Sequence, residues 1–106
     1  MPKYLFEVSY TAEGASGVLA NGGSARRQAI AESIEQAGGT LEAFYFAFGG
    51  NDAYVITEYD GNVTDAAQAM AVAASGAATL RTVVLLTPEE IDAAAAKEVT
   101  YRPPGR

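Results

Sequence analysis

The chain contains neither cysteine nor histidine. Without cysteine it has no disulfide, no thiolate nucleophile and no Cys-based zinc site. Without histidine it lacks the only side chain whose unperturbed pKa lies near neutrality, and haem ligation through either residue is excluded. Any chemistry that this chain performs must therefore use carboxylates, tyrosines, arginines and backbone groups.

Positive charge and long apolar runs are also scarce. The sequence has 7 Lys and Arg against 13 Asp and Glu, a net charge of −6. That sign is wrong for a protein that neutralises phosphates, so we expect no nucleic-acid partner. No apolar stretch reaches the roughly 18 residues of a membrane span, and Glu7 interrupts the first apolar run before it could form a signal-peptide core. We expect a cytoplasmic protein with no membrane partner.

The remaining composition is that of a folded protein. Hydrophobic residues make up 49% of the 106 residues and charged residues 19%, which is within the ordinary globular range. This length fits one domain that spans residues 1–106.

Strands are predicted from apolar residues that alternate, and helices from apolar residues three or four apart between capping residues. The first half reads as a strand over residues 3–10, a loop over 11–23, a helix that Ser24 caps and Gly38-Gly39 ends, and a hairpin of strands over 40–48 and 53–59. The second half reads as a helix that starts at about residue 62 or 64 and ends at 75, a strand over 79–86 and a short helix to about residue 98. The capping box Thr87-Pro88-Glu89-Glu90 opens that last helix.

The alanine-rich helix over residues 62–75 carries an apolar stripe that we expect to face the core. The stripe consists of Val63, Ala66, Ala67, Met70 and Ala74. Because most of these side chains are small, the helix can lie close to whatever it covers.

The order βαββαβ followed by a helix predicts an α+β, ferredoxin-like fold with sheet order 4-1-3-2 and both long helices on one face. Nothing in the chain is large enough to cover the other face, so we expect a homo-oligomer, a dimer or a larger ring. The residues expected on that face are Leu5, Val83 and Leu85, with either Phe44, Phe46 and Phe48 or Leu41 and Tyr45 according to the register.

Carboxylates within the strands and the hairpin are the candidate catalytic groups. Asp52 could act as an acid or base at a pocket mouth, or it could bind backbone N–H groups in the turn. Glu7 and Glu58 interrupt apolar strands; each could be a buried acid or base, or could form a salt bridge or face solvent. Arg81, on the neighbouring strand, is the expected partner of Glu7. No spacing motif supports a metal site from these acids, so we expect no metal.

Tyrosines and arginines complete the candidate site. Tyr10, Tyr45 and Tyr54, together with Arg81, are the expected ligand-binding residues, because aromatic walls with a few polar groups suit a small apolar or aromatic ligand. Arg26 and Arg27 follow Gly22-Gly23-Ser24 at the start of a predicted helix. They could hold a phosphate or carboxylate, or contact a neighbouring subunit's carboxylates or solvent.

The chain resembles the GYD-domain family over nearly its whole length. The matching segments are Tyr10-Thr11-Ala12-Glu13-Gly14, Gly38-Gly39, Ala43-Phe44-Tyr45-Phe46, Gly49-Gly50-Asn51-Asp52-Ala53-Tyr54-Val55-Ile56, Leu85-Leu86-Thr87-Pro88-Glu89-Glu90 and Tyr101-Arg102-Pro103-Pro104-Gly105. This resemblance implies a dimeric α/β barrel, in which two sheets pack face to face. The family is named after a Gly-x-Tyr-Asp motif, and in this chain Asn51 occupies the position of the tyrosine.

By analogy with other dimeric α/β barrels, we expect an oligomeric protein that binds a small molecule, or a cofactor-independent enzyme that acts on small aromatic or carbonyl compounds. The alternative is a non-catalytic assembly or regulatory module whose exposed sheet face serves oligomerisation. Neither alternative requires a cofactor.

Overall fold

The computed structural model describes all 106 residues. The elements are β1 (Lys3–Tyr10), α1 (Ala12–Asn21), α2 (Gly23–Gln36), β2 (Thr40–Phe46), β3 (Ala53–Glu58), α3 (Asn62–Ala74), β4 (Ala78–Leu85) and α4 (Pro88–Ala95). No helix combines the length and the hydropathy that crossing a bilayer requires.

The four strands form one antiparallel sheet in the order β2-β3-β1-β4. This is the predicted order, and the α+β, ferredoxin-like fold with a short C-terminal helix is confirmed. β1 and β3 occupy the centre of the sheet, so the residues of β1 have neighbours on both sides.

The hydrophobic core lies between the sheet and the helices α2 and α3. Alternate residues of β1 point into it, because successive side chains of a strand face opposite ways. The core consists of Tyr4, Phe6, Val8, Ile34, Ala53, Val55, Tyr59 and Ala78. Half-buried residues such as Ile30 of α2 and Val72 of α3 pack around this cluster.

The predicted loop over residues 11–23 is wrong, because residues 12–21 form the helix α1. Thr11 caps it, since the Thr11 hydroxyl accepts a hydrogen bond from the Gly14 N–H at 3.2 Å. The cap predicted at Ser24 is also wrong. Gly22 separates α1 from α2 with a φ of +83°, and Ser24 already lies inside α2. The missed helix has no buried residue, and it contains Gly14 and Gly17, a residue type that disfavours helices.

The predicted core stripe of α3 is wrong as well, because that face of the helix points to solvent. Val63 is 86% exposed and Met70 71% exposed, and the three alanines of the stripe are exposed too. The buried residues of α3 are Asp65 and Gln68. Gln68 donates a hydrogen bond to the Ser33 hydroxyl at 3.0 Å, which ties α3 to α2.

A β-bulge in β2 decides which aromatic side chains face the helices. Leu41 pairs with Thr57 and Ala43 with Ile56, so Glu42 is an extra residue. Because of this shift, Leu41, Phe44 and Phe46 all lie on the helix side, and Tyr45 is left on the other side. Neither predicted register is correct as a whole. Phe48 lies beyond the strand and is fully exposed.

The C-terminal segment extends away from the core. The predicted capping box at Thr87 is present: the Thr87 hydroxyl accepts from the Glu90 N–H, and the Glu90 carboxylate accepts from the Thr87 N–H. Residues 88–106 contain no buried side chain, and Ile91, Val99 and Tyr101 are among the exposed apolar residues. We call this segment the C-terminal arm.

Candidate functional site on the open sheet face

No helix covers the sheet face opposite α2 and α3, which we call the open face. It carries every second residue of each strand, except at the bulge in β2. Its apolar members are Leu5, Ala43, Tyr45, Tyr54, Ile56, Val83 and Leu85. Tyr45 is 72% exposed, and Tyr54 and Val83 are each 38% exposed, so an apolar band reaches solvent. As predicted, this face carries Leu5, Val83 and Leu85. It also carries Tyr45, which was expected here in one of the two registers, but not Leu41, which was expected with it.

An ion-pair cluster occupies one end of the open face. Lys3 Nζ donates to Glu42 Oε1 at 2.7 Å and also to Glu58 Oε1. The hydrogen bond from Lys3 lowers the pKa of Glu58, and the bonds to Glu42 and Glu58 raise the pKa of Lys3. Because Lys3 holds Glu58 ionised, this carboxylate suits a structural ion pair better than proton transfer near neutrality.

The other end of the open face carries a shallow depression of about 400 Å³, which we call the polar pocket. It is lined by Glu7, Ser9, Gly50, Asn51, Thr79, Leu80 and Arg81. Most of these residues are polar, and they come from β1, β4 and the hairpin turn between β2 and β3. The polar pocket therefore brings Glu7 and Arg81 together and leaves Glu58 at the opposite end of the sheet.

Glu7 and Arg81 face each other across β1 and β4, because they are register partners. They nevertheless form no ion pair, since all ion pairs of the chain involve Lys3. The Glu7 carboxylate instead accepts a hydrogen bond from Asn51 Nδ2 at 3.0 Å. Arg81 is exposed, so its guanidinium remains available to a ligand.

Asn51 connects the walls of the polar pocket. Its Nδ2 donates to Glu7 and, at 3.3 Å, to the hydroxyl of Tyr54, and its Oδ1 accepts from Ser9 Oγ at 3.5 Å. From the sequence, Asn51 was noted only because it replaces the tyrosine of the family motif, and no role was predicted for it. Its position in the tight turn beside Asp52 was the available signal, but the turn alone does not reveal that the side chain reaches β1.

Asp52 fastens the hairpin turn to the end of β1. Its carboxylate accepts the Tyr10 backbone N–H at 2.8 Å, and its own N–H donates to the Val8 carbonyl at 2.8 Å. The backbone-binding alternative for Asp52 therefore matches the geometry, although the bonds reach a neighbouring strand and not the turn itself.

The three candidate tyrosines are divided between the two faces of the sheet. Tyr45 and Tyr54 are register partners on the open face. Tyr10 lies on the helix side, where its ring centroid is 6.5 Å from that of Phe46 and 6.0 Å from the guanidinium carbon of Arg26. Tyr10 therefore cannot share a site with the other two.

A group of buried polar side chains lies beneath the start of α3. Thr57 and Tyr59 are completely buried and Asp65 is 6% exposed, and the Thr57 hydroxyl, the Tyr59 hydroxyl and Asp65 Oδ1 have no hydrogen-bond partner. Burial raises the pKa of Asp65. Burial, and secondly the charge of Asp65, raises the pKa of Tyr59 to about 12. The sequence does not reveal this cluster, because Asp65 lies off the apolar stripe that is predicted to face the core.

Relatives of this chain are recognised at the level of a domain family. No curated protein and no solved structure matches it significantly. The family model described as the GYD domain matches residues 4–95. That range contains every residue of the four strands except Lys3, and it contains the whole polar pocket. The chain therefore belongs to the GYD domain family.

Proposed function

We propose that this protein is a homo-oligomer in which two open faces pack together, and that it binds a small aromatic or carbonyl-bearing molecule between them. The observation that carries the proposal is the open face itself, which combines an uncovered apolar band with a polar pocket at one end.

A second copy of the chain suits the open face because of how its residues are arranged. Leu5, Ile56 and Val83 form an apolar centre, and the ion-pair cluster and the polar pocket form charged or polar ends. Interfaces between proteins have this pattern of an apolar centre and a polar rim. In a two-fold contact the same patch is used by both subunits, so a self-complementary face needs no other partner.

Packing of two copies would also turn the shallow polar pocket into an enclosed one. Arg81 has no acidic partner, so its guanidinium can donate to a carbonyl or carboxylate oxygen. Glu7 can accept a hydrogen bond or a proton from the same molecule. The exposed rings of Tyr45 and Tyr54 supply apolar contact area, and a mainly apolar pocket with a few polar groups is typical of small-molecule sites.

Native mass spectrometry of the protein purified gently from its own host tests both parts of the proposal. We expect a dimer or a multiple of it, with a co-purifying small molecule. Val83→Arg on the open face should give monomers without that molecule, because a charge in the centre of the contact prevents packing. The matched control Val63→Arg changes an exposed valine of α3 and should leave the mass unchanged. Circular dichroism verifies that both variants fold.

A second candidate is an assembly module that binds no ligand, and the exposed apolar residues of the C-terminal arm favour it. A dimer that carries no small molecule would support this candidate and would overturn ligand binding. A wild-type protein that stays monomeric at low micromolar concentration would overturn both candidates.

A further inference from the structure

A groove of about 420 Å³ lies on the opposite side of the sheet from the polar pocket, between α1 and α2. Tyr10 forms part of its floor, Gly14, Gly17 and Val18 line it from α1, and Ala29 lines it from α2. Volumes of this size are typical of small-molecule sites. The groove exists because α1 is a helix, so the sequence-based prediction of a loop could not include it.

Arg26 is the cationic group of this groove. Its guanidinium carbon is 6.0 Å from the centre of the Tyr10 ring, and its Nε is buried without a hydrogen-bond partner. Arg26 forms no ion pair, since Lys3 accounts for all of those in the chain. Arg26 as a whole is half-buried. A partly exposed guanidinium that lacks both an acceptor and a counter-charge is suited to binding a carboxylate, which can accept two N–H groups at once.

The rest of the groove limits what the ligand can be. Glu13 on α1 is its only anionic residue, so a second negative charge on the ligand would be repelled, whereas an amino or hydroxyl group would find an acceptor. Gly17 leaves open space, because a Cβ built there meets no atom within 4 Å. Arg26 also borders a small apolar cavity of about 30 Å³ between α2 and the sheet, so apolar surface continues beneath it.

We propose that this groove binds a small organic monocarboxylate that also carries a hydrogen-bond donor, such as an amino acid. The carboxylate pairs with Arg26, the donor group faces Glu13, and the apolar part lies against the small residues of α1 and α2. This second site does not depend on the proposed function, because it lies on the other side of the sheet and within one subunit.

Arg26 and Arg27 are adjacent in sequence, but only Arg26 lines the groove. Arg27 is exposed and lies beside Ser24, Phe44 and Phe46, outside the groove. The two arginines therefore do not form the joint anion site that the sequence left open. Because only one of them reaches the groove, Arg27→Gln is a matched control for Arg26→Gln.

In the test, three probe compounds are added to the ¹⁵N-labelled 106-residue chain and the amide and side-chain signals are followed by NMR. L-Phenylalanine has both polar groups, 3-phenylpropanoate lacks the amine and 2-phenylethylamine lacks the carboxylate. We expect L-phenylalanine to shift the Gly14 and Gly17 amide signals and the Arg26 Nε signal most strongly, 3-phenylpropanoate to shift them more weakly and 2-phenylethylamine to leave them unchanged.

Variants then assign the binding to Arg26 and to the groove. Arg26→Gln should weaken the binding of L-phenylalanine by at least about tenfold, as expected for the loss of a charged hydrogen-bond donor, and Arg27→Gln should not. Gly17→Leu adds an apolar side chain at a position where a Cβ meets no atom within 4 Å, so it should block the groove and abolish binding while the fold is retained. The proposal is overturned if no probe shifts these signals, if sodium acetate shifts them as much as L-phenylalanine, or if Gly17→Leu binds as the wild type does.

Discussion

At the scale of single residues, Asp65 shows how burial and charge oppose each other in this protein. Its Oδ1 is buried without a donor beside the buried hydroxyls of Thr57 and Tyr59. Folding therefore removes an ionised carboxylate from water without giving it a full set of partners. Burial raises the pKa of Asp65 above its ordinary value of 3.8, so the unfolded chain ionises at a lower pH than the folded one.

Asp65→Asn should therefore stabilise the protein at neutral pH and not in acid. Asparagine keeps a polar group at this position but removes its charge, and burying a charged group without partners costs more than burying a neutral one. A negative charge in the first turn of a helix contributes about 0.5 kcal/mol, which the substitution loses, so we expect a net gain of roughly 1 kcal/mol at pH 7. The penalty on the ionised aspartate appears as the pH rises through the folded pKa and is absent below the unfolded value of 3.8.

Urea unfolding of Asp65→Asn at pH 7 and at about pH 3.5 measures this difference. Asp60→Asn, a neighbouring exposed aspartate, is the control and should change the free energy of unfolding little. A gain of the same size at both pH values would show that the charge of Asp65 is not responsible, and a loss of stability at pH 7 would contradict the prediction.

At the scale of elements, the sequence predicted what a strong local signal encodes. The alternation in β1, the capping box at Thr87 and the Gly38-Gly39 stop were all sufficient to place elements. Three features were not predicted: α1 buries no side chain, the alanine-rich α3 buries Asp65 and Gln68 and not its apolar stripe, and the bulge at Glu42 depends on pairing with β3. Each of these is decided by contacts between elements, which a local pattern does not contain.

In the candidate site too, features encoded by local pattern and strand order were predictable, and features decided by contacts between elements were not. Glu7 and Arg81 were predicted as neighbours because strand order determines which strands pair, and the register confirms that they face each other. Asn51 could not be predicted, since its contact with Glu7 depends on how the hairpin turn bends towards β1. Tyr10 was grouped with Tyr45 and Tyr54 because composition says nothing about the side of a sheet.

Two glycines of α1 make the packing of this helix testable. A Cβ at Gly14 would lie 2.0 Å from the Ala77 carbonyl oxygen, whereas one at Gly17 would meet nothing within 4 Å. We expect Gly14→Ala to destabilise the protein by about 1–3 kcal/mol through overpacking against backbone. Gly17→Ala should stabilise it by up to about 1 kcal/mol, because alanine favours the helix more than glycine does.

Urea unfolding of the two single variants compares them within the same helix. The pair controls for helix propensity, since both replace glycine by alanine in α1. Equal and favourable effects would mean that α1 does not lie against Ala77 in solution.

At the scale of the whole molecule, the C-terminal arm gives the subunit an elongated shape. The longest axis is 57 Å and the radius of gyration 16.8 Å, against about 13 Å for a compact chain of this length. The arm has exposed apolar residues and buries none of its side chains. Within one subunit it therefore contributes little to stability.

Deletion of residues 88–106 tests this independence in the monomeric Val83→Arg chain. We expect the free energy of unfolding to change by no more than about 0.5 kcal/mol, as for surface changes away from packed features. Small-angle scattering should show a smaller radius of gyration. The untruncated Val83→Arg chain is the control, and a loss of several kcal/mol on deletion would mean that the arm folds back onto its own subunit.

The bulge in β2 has a consequence for how the surface of this protein can change over evolution. Because Glu42 is an extra residue, the larger apolar side chains of β2 lie on the core side: Leu41, Phe44 and Phe46. From residue 42 to the end of β2, only Glu42, Ala43 and Tyr45 point to the open face. Positions 43 and 45 can therefore vary with a ligand or partner while the core side of the strand is preserved. One irregular residue thus separates the part of β2 that maintains the fold from the part that is free to diversify.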